Sequence, residues 1–141
     1  MIEELRLLLD FGLVVLIWMV QLVVYPSFKF FAPSDLVKWH KKYTVCIAYI
    51  VMPLMLGQLL VSGFLVYETQ SFYAIGSFVL VLSLWAITFS IFVPLHGKIE
   101  SNSFLPKDLH LLVKRNWIRT ILWNLIGVWS FLELFQSQTR P

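Results

Sequence analysis

Four long apolar runs constrain this chain more than any other feature of its sequence. A helix needs about 20 apolar residues to cross the hydrocarbon core of a bilayer. The four runs that reach this length are about Leu7–Tyr25, Tyr43–Tyr67, Phe72–Leu95 and Trp117–Phe135. None shows the polar–apolar alternation of a membrane-spanning strand. Because 59% of the 141 residues are apolar and only 13% are charged, one soluble core could not bury them. The sequence therefore predicts an all-α integral membrane protein.

The runs predict one domain, residues 1–141, since no linker or low-complexity segment separates them. Four consecutive spans predict an antiparallel up-down four-helix bundle with both termini on the same side. Mixed charged and apolar stretches before runs two and four indicate that these helices begin early. Ser34 is the expected N-cap of the second helix, and Pro106 suits the first turn of the fourth. Pro26 is expected to end the first helix.

The positions of the basic residues predict the orientation. Of eleven Lys and Arg residues, only Arg6 and Arg140 lie at the termini. The others follow runs one and three, at Lys29, Lys38, Lys41, Lys42, Lys98, Lys107, Lys114, Arg115 and Arg119. The positive-inside rule puts both connections in the cytoplasm and both termini outside it. We thus expect a multi-pass protein of the bacterial inner (cytoplasmic) membrane. Its net charge of +3 is explained by this topology and by anionic lipid, with no nucleic acid as partner.

Several familiar function classes find no support in the sequence. It contains no P-loop, dinucleotide-type glycine fingerprint, HExxH or GxSxG motif. The single cysteine, Cys46, excludes an intramolecular disulfide and a CxxC pair, and we expect it to be buried as a small apolar side chain. The acidic start and long first run indicate a retained span rather than a cleaved signal peptide.

Polar and aromatic side chains gather near the predicted cytoplasmic ends of the runs. Helical spacing puts them on one face of each helix. These faces hold Trp18, Gln21 and Tyr25; His40 and Tyr43, with Gln58 about five turns deeper; Trp85, Thr88 and His96; and Asn116, Arg119, Thr120 and Trp123. Since ionisable groups at membrane depth are costly and often functional, we expect one polar pocket open to the cytoplasm. Snorkelling, interfacial solvation or helix–helix hydrogen bonding also explains such residues without a site.

Prolines and acidic residues add to this picture. Pro53 removes a backbone hydrogen bond inside the second helix and predicts a kink. Pro94 is expected to loosen the end of the third helix and to redirect His96. Near the opposite side, Asp10 and Glu133 are expected at the level of the lipid headgroups.

The stretches QLVVYPSF, WHKKY, MPLMLGQLL, VPLHGKI and KRNWIRTILW resemble an uncharacterised family of small bacterial four-helix integral membrane proteins. The resemblance covers most of the chain and falls on Gln21, Tyr25, Pro26, His40, Tyr43, Pro94, His96, Asn116, Trp117, Arg119, Thr120 and Trp123. It implies the fold and the location of a site, but no reaction. Gln58 stands where that family often has an acidic residue. In architecture alone, the chain is similar to anthrone-oxygenase-like and haem-binding protoporphyrinogen oxidase membrane proteins.

The sequence favours a small membrane enzyme of redox or oxygenase type that acts on an apolar small molecule from the lipid bilayer. The predicted catalytic residues are His40, His96, Asn116 and Arg119, and the predicted substrate-binding residues are Gln21, Tyr25, Tyr43, Trp85, Thr88 and Trp123. His40 and His96 either ligate haem or a metal ion or act as acid and base. The sequence leaves open whether any cofactor binds and whether the protein is an enzyme.

Two other functions fit the same residues. The first is a lipid-ligand binding, transport or channel module, or an assembly subunit, which with only four spans would act as a homo-oligomer. The second is a structural protein, in which the polar residues serve helix packing alone.

Overall fold

Four long helices make up the described part of the chain, which is all-α as predicted. The computed structural model describes residues 1–139, and Arg140 of the orientation prediction lies outside that range. The helices are α1 (Ile2–Phe30), α2 (Pro33–Thr69), α3 (Phe72–Glu100) and α4 (Pro106–Thr139). No strand occurs within these residues. All four helices are long and apolar enough to cross a membrane, as expected for a multi-pass membrane protein.

Prolines begin two of the helices. The prediction that Ser34 caps α2 is wrong, because Ala32 occupies the N-cap with extended backbone and Pro33 is the first helical residue. Proline suits that position, since its φ is fixed near the helical value and it has no N–H to satisfy. In α4 the first residue is Pro106, as predicted. The Asp108 carboxylate there accepts a hydrogen bond from the Leu105 N–H at 2.8 Å.

Two π-helical segments interrupt α1 and α3, and each is followed closely by a proline. The segments are Val20–Val24, before Pro26, and Thr88–Phe92, before Pro94. The prediction that Pro26 ends the first helix is therefore wrong, since α1 continues to Phe30. A π turn displaces the carbonyl with which the proline ring of a regular helix would clash. The helix can then pass through the proline.

Apolar side chains fill the centre of the bundle and also cover its outer surface. The fully buried ones include Leu13, Ile17, Phe28, Val81, Leu84 and Ile126. Large apolar side chains on the outside include Leu8, Phe11, Tyr49, Leu60, Phe89 and Phe131. The expectation that Cys46 is buried is wrong, because it lies on this exposed surface. Such a surface suits lipid, which solvates apolar side chains that water would not.

Each helix packs against two others. The helix α1 lies against α2 and α4, and α3 lies against the same two helices. Three of the hydrogen bonds between α1 and α4 show how the two helices are aligned. The Ser137 hydroxyl donates to Glu3 Oε2 at 3.0 Å, and Trp18 Nε1 donates to Asn124 Oδ1 at 3.2 Å. Asn116 Nδ2 donates to Gln21 Oε1 at 2.8 Å.

Candidate functional site

A buried hydrogen-bonded cluster joins side chains from all four helices near one end of the bundle. We call it the Arg119 network, and its members are Gln21, Tyr25, His40, His96, Asn116 and Arg119. All were predicted as site residues, and all except the partly exposed His96 are buried. The two π-helical segments place two sides of this cluster, because Gln21 lies within one and His96 follows the other. Such segments often mark functional positions.

The two histidines form one half of the network. His40 Nε2 lies 2.7 Å from His96 Nδ1, and His96 Nε2 lies 3.0 Å from the Tyr25 hydroxyl. An imidazole nitrogen donates or accepts according to the tautomer. A proton can therefore move along this chain when the rings exchange tautomers.

Arg119 forms the other half. Its Nη2 donates to the Tyr25 hydroxyl at 2.9 Å, and its Nε and Nη2 donate to Asn116 Oδ1 at 2.9 and 2.6 Å. Asn116 in turn donates to Gln21 Oε1 at 2.8 Å. The guanidinium carbon lies 3.6 Å from the centre of the Phe92 ring, a cation–π geometry. Within residues 1–139, Arg119 forms no salt bridge.

A cavity of about 390 Å³ opens beside this network, a size that suits a small ligand. Its polar wall includes Tyr25, His96 and Arg119. Most of the remaining wall is apolar and comprises Leu16, Ile17, Val20, Ile47, Ala48, Val51, Met52, Phe92, Val93 and Trp123. Met52 and Val93 are also 39% and 52% exposed on the outer surface. The cavity therefore reaches the apolar outside of the bundle between α2 and α3.

Glu100 and Thr44 belong to this site, although the sequence analysis did not identify them. Glu100 Oε1 accepts a hydrogen bond from Thr44 at 2.9 Å and lies 3.6 Å from His40 Nδ1. That nitrogen has no hydrogen-bond partner within residues 1–139. The Glu100 side chain is 40% exposed, so it connects the histidine pair to the surroundings. The sequence does contain a feature that could have identified Glu100: it follows His96 by four residues, which puts both on one helical face.

The other predicted site residues divide into two groups. Tyr43, Thr88 and Trp123 line the cavity without belonging to the Arg119 network. Trp85 does not reach the cavity. Its ring instead stacks on Phe89 with centroids 5.6 Å apart. One residue each from α2, α3 and α4 thus joins the cavity wall, and Trp85 is the exception.

A second buried cluster lies elsewhere in the bundle, centred on Asp10. Asp10 was expected at the level of the lipid headgroups; its side chain is enclosed by the bundle and is 0% exposed, as is that of Arg6. Arg6 Nε donates to both Asp10 oxygens, at 2.9 and 2.8 Å. Gln58 donates to Asp10 at 2.6 Å, and Ser130 donates to the other oxygen. The Asp10 carboxylate thus has three hydrogen-bonding partners, which offset its desolvation, whereas Arg6 Nη1 and Nη2 have none within residues 1–139.

Tyr73 and Trp123 extend this second cluster. The Tyr73 hydroxyl lies 2.8 Å from the Ser130 hydroxyl. Trp123 Nε1 donates to Gln58 Oε1 at 3.4 Å, and the same indole ring lies 6.0 Å from the Arg119 guanidinium. We call Arg6, Asp10, Gln58, Tyr73 and Ser130 the Asp10 network. Trp123 lies between the Asp10 network and the Arg119 network.

The groups around His40 and His96 are relevant to the prediction that these histidines ligate haem or a metal ion. No group of three or more His, Cys, Asp or Glu side chains within residues 1–139 is arranged to hold a metal ion. Both ring nitrogens of His96 are within hydrogen-bond distance of protein groups, and Nε2 of His40 faces His96 rather than open space. This arrangement favours the acid–base interpretation of the pair. The ligand interpretation stays a prediction.

Comparison with models of protein families, with curated proteins and with solved structures finds no match to this chain. The function must therefore be inferred from the geometry of the cavity and the two networks.

Proposed function

We propose that this protein is a small membrane enzyme that performs acid–base chemistry on an apolar molecule taken from the lipid. One observation carries the proposal. A chain of titratable groups runs from the exposed Glu100 through His40 and His96 to Tyr25, which lines an apolar cavity. Such a chain can supply a proton to, or remove one from, a molecule bound in the cavity.

Tyr25 is the group that exchanges a proton with the substrate. His96 uses one ring nitrogen for His40 and the other for Tyr25, so the proton reaches the cavity through the Tyr25 hydroxyl. When Tyr25 gives up its proton, His96 Nε2 replaces it and His96 Nδ1 takes a proton from His40 Nε2. His40 is reprotonated in turn at Nδ1, from the side of Glu100. Arg119 Nη2 donates to the same hydroxyl and stabilises the negative charge that forms there.

Arg119, Asn116 and Gln21 act as one unit in this proposal. The two amides hold the guanidinium against Tyr25 through the hydrogen bonds described above. A guanidinium whose position is fixed in this way loses little side-chain entropy when a substrate binds. The redox or oxygenase reaction type that the sequence favoured stays a prediction, and the acid–base form of that hypothesis is the one this hydrogen bonding supports.

For the whole chain, we propose an antiparallel up-down bundle with both termini outside the cytoplasm. Two observations support it. Contacts between α1 and α4 pair early residues of one with late residues of the other, and the basic residues cluster in the two connections on one side. In this orientation the Arg119 network lies in the cytoplasmic third of the membrane, and Glu100 is near the cytoplasmic water.

The test compares two histidine substitutions in protein reconstituted with membrane lipids. His96→Gln keeps an amide to contact Tyr25 but cannot relay a proton, and His110→Gln changes an exposed histidine. The reconstituted samples are incubated in heavy water, and all lipophilic molecules are then compared by mass spectrometry. We expect a product with solvent-derived deuterium from wild type and from His110→Gln, and its loss from His96→Gln.

Identical product profiles for wild type and His96→Gln would contradict the enzymatic proposal. A lipophilic molecule that stays bound and chemically unchanged in both would favour the lipid-ligand binding module instead.

A further inference from the structure

We infer that the cavity selects molecules that carry an oxyanion at one end of an apolar chain, and that Arg119 binds the oxyanion. The inference names the ligand class of the cavity and rests on the proposed function only in taking this cavity as the substrate site.

The first observation is the charge of Arg119, which no carboxylate in the described part of the chain neutralises. Only 8% of its surface is exposed, and within residues 1–139 no carboxylate pairs with it. Its neighbours are the neutral oxygens of Tyr25 and Asn116 and the ring of Phe92. A buried cation is costly unless an anion compensates it.

At its other buried arginine the chain supplies that anion itself. Arg6 is paired with Asp10 at 2.8 Å, and both side chains are 0% exposed. The two sites differ because Arg119 lines the cavity, whereas Arg6 does not. A ligand can therefore supply at Arg119 the negative charge that Asp10 supplies at Arg6.

The second observation is that hydrogen-bonding groups at the cavity wall remain available. The hydrogen bonds of Arg119 use its Nε and Nη2, so Nη1 takes part in none of them. The buried hydroxyl of Thr88 lines the same cavity and has no hydrogen-bond partner within residues 1–139. A carboxylate or phosphate accepts several hydrogen bonds at once, and guanidinium donors match its geometry.

The distribution of charge around the cavity sets the direction in which a ligand lies. Arg119 is the only Lys or Arg side chain in the described lining, and Glu100 is the only acidic one. Glu100 is held by Thr44 and is far more exposed than Arg119. An oxyanion is therefore favoured at Arg119 and disfavoured at Glu100. The apolar chain then follows the wall towards Met52 and Val93, where the cavity reaches the lipid.

The test measures equilibrium binding of radiolabelled dodecanoate to purified protein in detergent. Unlabelled dodecanoate, dodecyl phosphate and dodecanol, which have the same chain length, compete for the site. We expect both anions to displace the label at least about tenfold better than the neutral alcohol, because hydrogen bonds to a charged group are the stronger ones. The relative strength of the two anions shows whether a carboxylate or a phosphate is the preferred head.

Matched arginine variants assign the effect to one side chain. Arg119→Gln is expected to weaken dodecanoate binding about tenfold or more while dodecanol binding is kept, which shows that the cavity is still formed. Arg119→Lys, which keeps the charge, should recover part of the affinity. Arg115→Gln, on an exposed position of the same helix, should bind as wild type does.

Equal competition by dodecanol and dodecanoate overturns the inference, and so does wild-type dodecanoate affinity in Arg119→Gln. If Arg119→Gln does not fold, the comparison of anion and alcohol on wild type still decides. Anion-selective binding without turnover supports the inference and contradicts the enzymatic proposal. Turnover of neutral lipophilic molecules without anion selectivity contradicts the inference and supports the enzymatic proposal.

Discussion

At the scale of single residues, the chain buries two arginines and satisfies them in different ways. Arg6 is neutralised by Asp10 within the same helix, whereas Arg119 rests on neutral groups and lines a cavity. Helical spacing and the predicted topology were enough to predict that Arg119 lies close to His96 and Tyr25. It was not enough to predict the burial of Asp10, which depends on Gln58 and Ser130 from two other helices.

The Asp10 carboxylate should be essential for stability because, within residues 1–139, it is the only carboxylate paired with Arg6. We expect Asp10→Asn to lower the free energy of unfolding by about 3–5 kcal/mol, the usual cost of leaving a buried charge unpaired. Titration with SDS in mixed micelles measures this free energy. Glu68→Gln, at an exposed position, is the control and should have little effect. A double variant, Arg6→Met with Asp10→Asn, should be more stable than Asp10→Asn, and a further loss would contradict this account.

At the scale of the helices, hydropathy predicted where the spans lie, but it could not predict their internal irregularities. The π-helical segments Val20–Val24 and Thr88–Phe92 have the same apolar composition as regular helix. The feature that both share in the sequence is a proline shortly after the segment. The sequence analysis interpreted Pro26 as the end of a helix and Pro94 as a loosened turn. The π turns also change which residues face inward, and so they help to bring Gln21 and His96 to the site.

The contact between α3 and α4 depends on a small residue at position 76. A Cβ atom added to Gly76 would lie 2.7 Å from Trp129 Cη2, whereas one added to Gly97 meets nothing within 4 Å. We expect Gly76→Ala to destabilise the protein by about 1–3 kcal/mol, because the indole must move in a packed interface. Gly97→Ala is the matched variant in the same helix and should be neutral or stabilising by up to about 1 kcal/mol. Thermal unfolding of both variants in the same detergent measures the change in stability. Equal effects of the two substitutions would contradict the packing described.

At the scale of the whole molecule, the four helices enclose two polar networks that meet at Trp123. The sequence could predict the Arg119 network, because its members lie near the same ends of the four runs. The Asp10 network was not predicted, although its members lie towards the other ends of the four helices. The sequence does not show that Asp10, Gln58 and Ser130 face one another, and only the packing of the bundle brings them into hydrogen-bond contact. An indole donates one hydrogen bond and accepts none, so Trp123 does not carry a proton between the two.

The proposed orientation predicts the location of both termini. An alkaline phosphatase, which is active only outside the bacterial cytoplasm, should be active when fused to the C-terminus. Green fluorescent protein, which fluoresces only when it folds in the cytoplasm, should be dark at the same site. Fusions to the connection before α4, at residues 101–105, should give the opposite results. A fluorescent C-terminal fusion would contradict the orientation that the basic residues predict.

The central claim is that the cavity beside the Arg119 network holds a molecule from the membrane. Ala48 lines this cavity, so Ala48→Trp should fill it, whereas Ala86→Trp adds the same ring at an exposed position. The most direct measurement is native mass spectrometry of the protein extracted with its surrounding lipid. We predict a bound lipophilic molecule on wild type and on Ala86→Trp, and its loss from Ala48→Trp. The same bound molecule on correctly folded Ala48→Trp, or none on wild type, would contradict the claim.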